Sequence, residues 1–156
     1  MNGKLVAGFL VVIALVAGGV MYWLQVYAFY RPVSLGAGVE MRLTPIGSDL
    51  PEAIVADEFQ GIDADSSPLR FRSCFTTPLS LGTLTETYQI YDKADPLLAP
   101  GWFECFDARK IGEAILSGEA VAFLSEANIA KGVDRVIAVF PDGRAYGWHQ
   151  LNGTLE

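Results

Sequence analysis

The sequence predicts an α+β protein, with a single N-terminal transmembrane helix followed by a small domain built on a mainly antiparallel sheet. Three observations lead there. Leu5 to Leu24 (LVAGFLVVIALVAGGVMYWL) is a run of twenty residues without one charge. Near the other end, RVIAVF (135–140) and RAYGWH (144–149) flank Pro141-Asp142-Gly143. That is a hairpin signal, because Pro presets φ and Gly takes φ > 0. Between these two landmarks, strand-like and helix-like segments follow one another without the regular alternation of a parallel α/β fold.

At about 1.5 Å rise per residue, the uncharged run covers the ~30 Å hydrocarbon core of a bilayer. Tyr22, Trp23, Tyr27, Phe29 and Tyr30 gather at its C-terminal end, where amphipathic rings favour the headgroup layer. A cleaved secretory signal is the competing reading, with Met1–Lys4 as its basic region and Val26-Tyr27-Ala28 as its cleavage site. The apolar core is longer than a signal needs, and bulky Tyr22, Trp23 and Gln25 fill the approach to Ala28. A retained anchor is therefore expected. Lys4 and the amino terminus precede the span, which places the N-terminus in the cytoplasm. From Pro32 onward the chain holds nine Lys and Arg against eighteen Asp and Glu, a net charge of −9. An anionic cytoplasmic leaflet would repel such a domain. The sequence thus points to the inner membrane, with a periplasmic C-terminal domain.

Ala7, Ala14, Gly18 and Gln25 share one face of the span. Small residues allow close helix approach and a Gln can hydrogen-bond across it, so this face is a candidate interface with a membrane-protein partner or a second copy. The alternative is that small residues are common in any such helix and Gln25 simply lies at the water boundary.

The chain divides into an anchor (1–31), a short Pro/Gly linker (32–38) and a domain (39–156). VEMRLTP (39–45) alternates as a half-buried strand does. Residues 54–59 start a strand or a short helix within an acid-rich run, Asp49 to Asp65. LRFRSCFT (69–76) reads as a strand with Leu69, Phe71, Ser73 and Phe75 on one face and Arg70, Arg72, Cys74 and Thr76 on the other. Ser80 to Asp92 is balanced between a helix capped by Ser80 and a strand, with helix slightly ahead. The clearest helix has Asp107 as N-cap, Ile111, Ala114 and Ile115 as its buried stripe and Gly118 as its stop. Ala120–Leu124 is a strand, 127–132 a loop or single turn, and the hairpin follows. Because Val136–Phe140 is apolar on both faces, its strand belongs inside a covered sheet. Ile137 or Val139 is expected to pack on Ile111 or Ile115.

The two cysteines, Cys74 and Cys105, are an even count in a part placed outside, so a disulfide is expected ahead of two buried thiols. Asp63-Ala64-Asp65 has calcium-ligand types, but Pro68 and Cys74 occupy the positions where an EF-hand loop needs Gly and Glu. His149 is the only histidine, which leaves a zinc site without its usual partners. No catalytic motif, metal site or cofactor signature is present. Arg70 and Arg72 are a close basic pair that either receives an anion or answers the acidic run. With net charge −7 and no basic patch, nucleic acid is not an expected partner.

From MNGKLVAGFLVV and QVYAFY through GIDADSSPLRFRSCF and LTETYQIYDKADPLLAPGWFECFDA to GVDRVIAVFPDGRAYGWHQLN, the chain resembles a small bacterial family of single-span proteins of uncharacterised function. Sequences of this type are sometimes labelled histidine kinase. A kinase needs a dimerising histidine helix and a nucleotide-binding domain; here His149 is seven residues from the end, in a strand, with no glycine boxes after it.

Two functional expectations follow. The first is a non-catalytic, membrane-tethered binding or accessory module, such as a subunit or assembly partner of an inner-membrane complex. The second is a small envelope enzyme or ligand sensor in which Arg70, Arg72, Asp63, Asp65 and His149 meet in a pocket. Convergence or scatter of those five side chains distinguishes them.

Overall fold

A computed structural model describes residues 2–36 and 39–155. The uncharged run forms α1 (Gly3–Trp23), extended by a π-helical turn over Leu24–Ala28. Asn2 caps its start, accepting from the Lys4 amide, and this helix is long and apolar enough to cross a membrane. None of it is buried against the rest of the chain.

Two residues later the chain is already in the domain. β1 (Arg31–Val33) pairs antiparallel with β4 (Asp57–Asp63), placing Arg31 opposite Asp63. The stretch 32–38, expected as a linker, therefore begins as an edge strand. Ala37 and Gly38 lie outside the described residues. Pro32 suits an edge, where a missing N–H leaves no ladder bond unmade.

The main sheet is antiparallel and six-stranded, in the order β1-β4-β5-β8-β7-β6, with β5 at Arg72–Thr76, β6 at Val121–Ala130, β7 at Val133–Val139 and β8 at Arg144–Leu151. One face is covered by a two-stranded ribbon, β2 (Arg42–Leu43) with β3 (Glu52–Ala53), and by α2 (Leu81–Thr87). Its core joins Met41, Leu43 and Leu84 to Phe71, Phe75, Ile137 and Val139. The other face carries α3 (Ala108–Ser117) and the loop before it, and joins Phe106 and Ile111 to Ile62, Val136, Ala138 and Trp148.

β7 lies inside the sheet, between β8 and β6, and Val136 to Val139 are all fully buried. The expected contact between Ile137 or Val139 and α3 is overturned. Val136 and Ala138 face α3, while Ile137 and Val139 face the ribbon and α2. Gly147 supplies the reason. A Cβ there would meet Ser73 Oγ at 2.6 Å and crowd Ile137 and Phe71, so the small residues of β8 serve the tighter ribbon side. Gly147→Ala is accordingly expected to lower the thermal midpoint by several degrees, as overpacking does.

α3 and the hairpin follow their local signals. Asp107 accepts from the Lys110 amide, and Gly118 closes the helix at φ 78°. In the hairpin turn Gly143 takes φ 89°. Ser80–Asp92 divides between its two readings: Ser80 caps α2, after which Tyr88 bridges Pro45 and Ile90 bridges Phe123. Residues 127–132, expected as a loop or a single helical turn, mostly extend β6 instead. Register shifts around Glu126 and a positive φ at Asn128 (49°) break the alternation that reveals a strand in sequence.

Cys74 and Cys105 form a disulfide, with Cα atoms 6.3 Å apart. It fastens the loop before α3 to β5. Reduction is expected to destabilise the domain by about 3–4 kcal/mol, the loop-closure value for a cross-link of this span. Paired denaturation curves with and without reductant measure it.

Candidate functional site

The five residues expected to share a pocket do not all converge in one: Asp63 lines a cavity with Phe71 and Arg135, which also contact His149, Asp65 pairs with Arg31, and Arg70 and Arg72 bond elsewhere. Strand alternation separates the two most distinctive ones. Arg72 is paired with Trp148 across β5 and β8, so it sits on the α3 face, 5.8 Å from the Phe106 ring centroid. His149, one residue further, stacks on Phe71 at 4.7 Å on the opposite face.

Both are committed to the fold. Arg72 is buried and donates only to backbone carbonyls: Nε to Leu97 (2.9 Å), Nη2 to Leu98 (2.9 Å), and Nη1 to Leu69 (2.8 Å) and Phe71 (2.6 Å). Burial lowers its pKa to about 10. It stays cationic at neutral pH, and its four acceptors fix the loop before α3 against the start of β5.

His149 Nδ1 lies 2.6 Å from the Pro68 carbonyl, which can only accept, so Nδ1 carries the proton. Nε2 then accepts from Arg135 Nε at 3.1 Å. A second proton on Nε2 would oppose that N–H, and burial alone already disfavours the cation. The pKa falls to about 4, from burial first and then from the Arg135 charge. In the unfolded chain the ordinary value near 6.5 returns. His149 thus contributes about 3 kcal/mol that is fully present above pH ~6.5 and lost as pH falls towards 4, where the unfolded state binds the extra proton. His149→Gln is expected to flatten the slope of stability against pH over that window. Unchanged slopes in paired urea titrations would remove His149 as its source.

The carboxylates sit beside Arg31. Asp65 forms an exposed two-contact ion pair with it, at 2.8 and 3.0 Å. Asp63 is partly buried, and desolvation raises its pKa despite nearby Arg31 and Arg135. With Arg31, Phe71 and Arg135 it lines a cavity of about 260 Å³. Among the described residues, no three His, Cys, Asp or Glu side chains come together as metal ligands. A larger groove of about 570 Å³ runs beside α3, lined in part by Glu104, Asp107, Lys110, Glu113, Arg144 and Tyr146. No nucleophile–base pair is found among those side chains.

The last of the five, Arg70, belongs to a different constellation, where the domain meets the end of the apolar helix. The last carbonyls of any helix lack intrahelical partners. Here two of them are capped from far along the sequence. Trp102 Nε1 donates to the Val26 carbonyl at 2.7 Å, and Arg70 Nη1 approaches the Gln25 carbonyl at 3.4 Å. Arg70 also donates to Tyr30 Oη at 3.2 Å and lies 5.5 Å from that ring's centroid. Trp102 stacks on Tyr27 at 6.4 Å and meets Tyr30 edge-on at 5.8 Å. A guanidinium beside a helix C-terminus is favourable in the field of the helix dipole. β1, Arg70 and Trp102 are thus the contacts between the helix end and the domain.

Nothing in the sequence joined Trp102 to Val26. The available signal was PLLAPGWF (96–103), eight uncharged residues between Asp95 and Glu104, whose Trp matches the aromatic residues ending the helix.

A family model matches residues 41–156, from the residue before β2 to the C-terminus. The chain belongs to DUF6446, a family of unknown function. The DUF6446 match takes in Arg70, Trp102, the disulfide and the buried His149, whereas the apolar helix and β1 precede it. No curated protein and no solved structure matches the chain.

Proposed function

We propose that this DUF6446 protein is a non-catalytic, membrane-anchored binding or accessory module, whose domain is held in a fixed pose on the periplasmic face of the inner membrane. One observation carries the reading: a 26-residue apolar helix, Gly3–Ala28, that the domain leaves uncovered except at its last turn. Apolar surface of that length needs another cover, and a bilayer fits its dimensions. The domain engages only the helix end, through Arg70 and Trp102. Its excess of acids favours the outward orientation. Ala7, Ala14, Gly18 and Gln25 supply a helix face for a membrane-protein partner or second copy.

Paired C-terminal fusions test the placement. An alkaline phosphatase fusion is expected to be active and a green fluorescent protein fusion dark, with the chain resisting carbonate extraction. The reverse pattern of reporter activity would put the domain in the cytoplasm, and release by carbonate would remove the anchor. Co-purification in mild detergent tests the accessory role: a stoichiometric membrane-protein companion is expected, and a lone monomer would contradict it.

A further inference from the structure

We propose that the uncharged segment 96–103 is a second membrane-contact element, which seats Leu98 and Trp102 in the headgroup layer beside the end of the helix. The inference rests on the anchored reading above and adds a lipid-binding surface on the domain itself.

Depth is the first argument. Trp102 Nε1 is bonded to the Val26 carbonyl, and its ring packs on Tyr27 and Tyr30. If Leu5–Leu24 fills the hydrocarbon, Val26 and Tyr27 lie at its outer boundary, and Trp102 must share that level. An indole at such a boundary keeps its N–H bonded and its rings in apolar surroundings.

Rigidity is the second argument. Arg72 holds the Leu97 and Leu98 carbonyls, yet Leu98 is 81% exposed. A fixed backbone that leaves a leucine bare, four residues from a tryptophan on the helix end, presents apolar surface where lipid is nearest. Composition is the third. Pro96 to Phe103 carries no charge in a domain rich in acids, so nothing in the segment opposes entry into the interface.

Leu116 provides the contrast. It is 91% exposed, on the last turn of α3. That turn packs beside Phe140 at the hairpin end of β7 and β8, while Arg72 and Trp148 mark the sheet's helix-facing end. An exposed leucine there faces water.

The test uses the full chain in phosphatidylcholine nanodiscs, with Leu98→Cys, Leu116→Cys or Ile13→Cys spin-labelled while the native disulfide stays closed. Collisions with oxygen, which concentrates in lipid, are compared with those of a water-soluble nickel chelate. Oxygen is expected to dominate at positions 13 and 98 and the chelate at 116. Chelate dominance at 98 with oxygen dominance at 13 would overturn the second contact and leave the anchor standing. Chelate dominance at 13 would remove the anchor, and this inference with it.

Discussion

Val139→Asp is expected to abolish the cooperative unfolding transition of the domain. Val139 is fully buried, lies one strand in from the sheet edge, and packs with Phe75, Leu84 and Phe123 beneath the ribbon and α2. Its neighbours in that core are apolar, and Arg135, the cation over the Phe71 ring, lies four residues back along the same strand, so a carboxylate at 139 would lose its hydration without gaining a partner. The cost of burying an unpaired charge rivals the whole stability of a domain this size. Asp142→Asn, three residues on, is the natural control. Asp142 is exposed in the turn and pairs with Arg144 at 2.7 Å, so its loss is worth well under ~1 kcal/mol. A normal thermal melt for Val139→Asp would mean that this strand face is at a surface.

Arg72→Ala carries the next largest effect. It would leave four backbone carbonyls near Leu69, Phe71, Leu97 and Leu98 without their shared donor. Bonds to a charged donor contribute about 1.5–3 kcal/mol each, and together they tie the loop before α3 to β5. A loss of at least ~4 kcal/mol in urea unfolding is expected. Arg72→Lys is expected to recover only a small part, since one ammonium cannot reach acceptors spread along a planar fork. Full recovery by Lys would show that charge alone matters at this position.

What the sequence made legible was local. Asp107 and Gly118 bound α3 because caps act within a turn of their own residues. The hairpin followed from three adjacent turn residues, and the disulfide from two cysteines in a part expected to lie outside. The face assignment of β7 failed because Gly147 answers to Ser73, a residue on a neighbouring strand whose register no local pattern fixes. The edge strand β1 was hidden for the same reason, since Arg31–Val33 become a strand only by pairing with Gly61–Asp63. At the site, residue type was a poor guide. Arg72 and His149 carry reactive groups, yet their partners are backbone carbonyls and Arg135, reached only through tertiary packing. The role of Trp102 is not legible in sequence because its acceptor is 76 residues away.

In the proposed pose helix and domain form one body, and the anchor dictates where the domain sits. A distance distribution between spin labels at Leu15→Cys on the helix and Glu119→Cys, exposed beyond α3, tests it most directly in lipid nanodiscs. A single narrow distribution is predicted, broadening when Arg70→Ala and Trp102→Ala are combined. A broad distribution in the parent protein, unaffected by those substitutions, would mean a loosely tethered domain and no fixed pose.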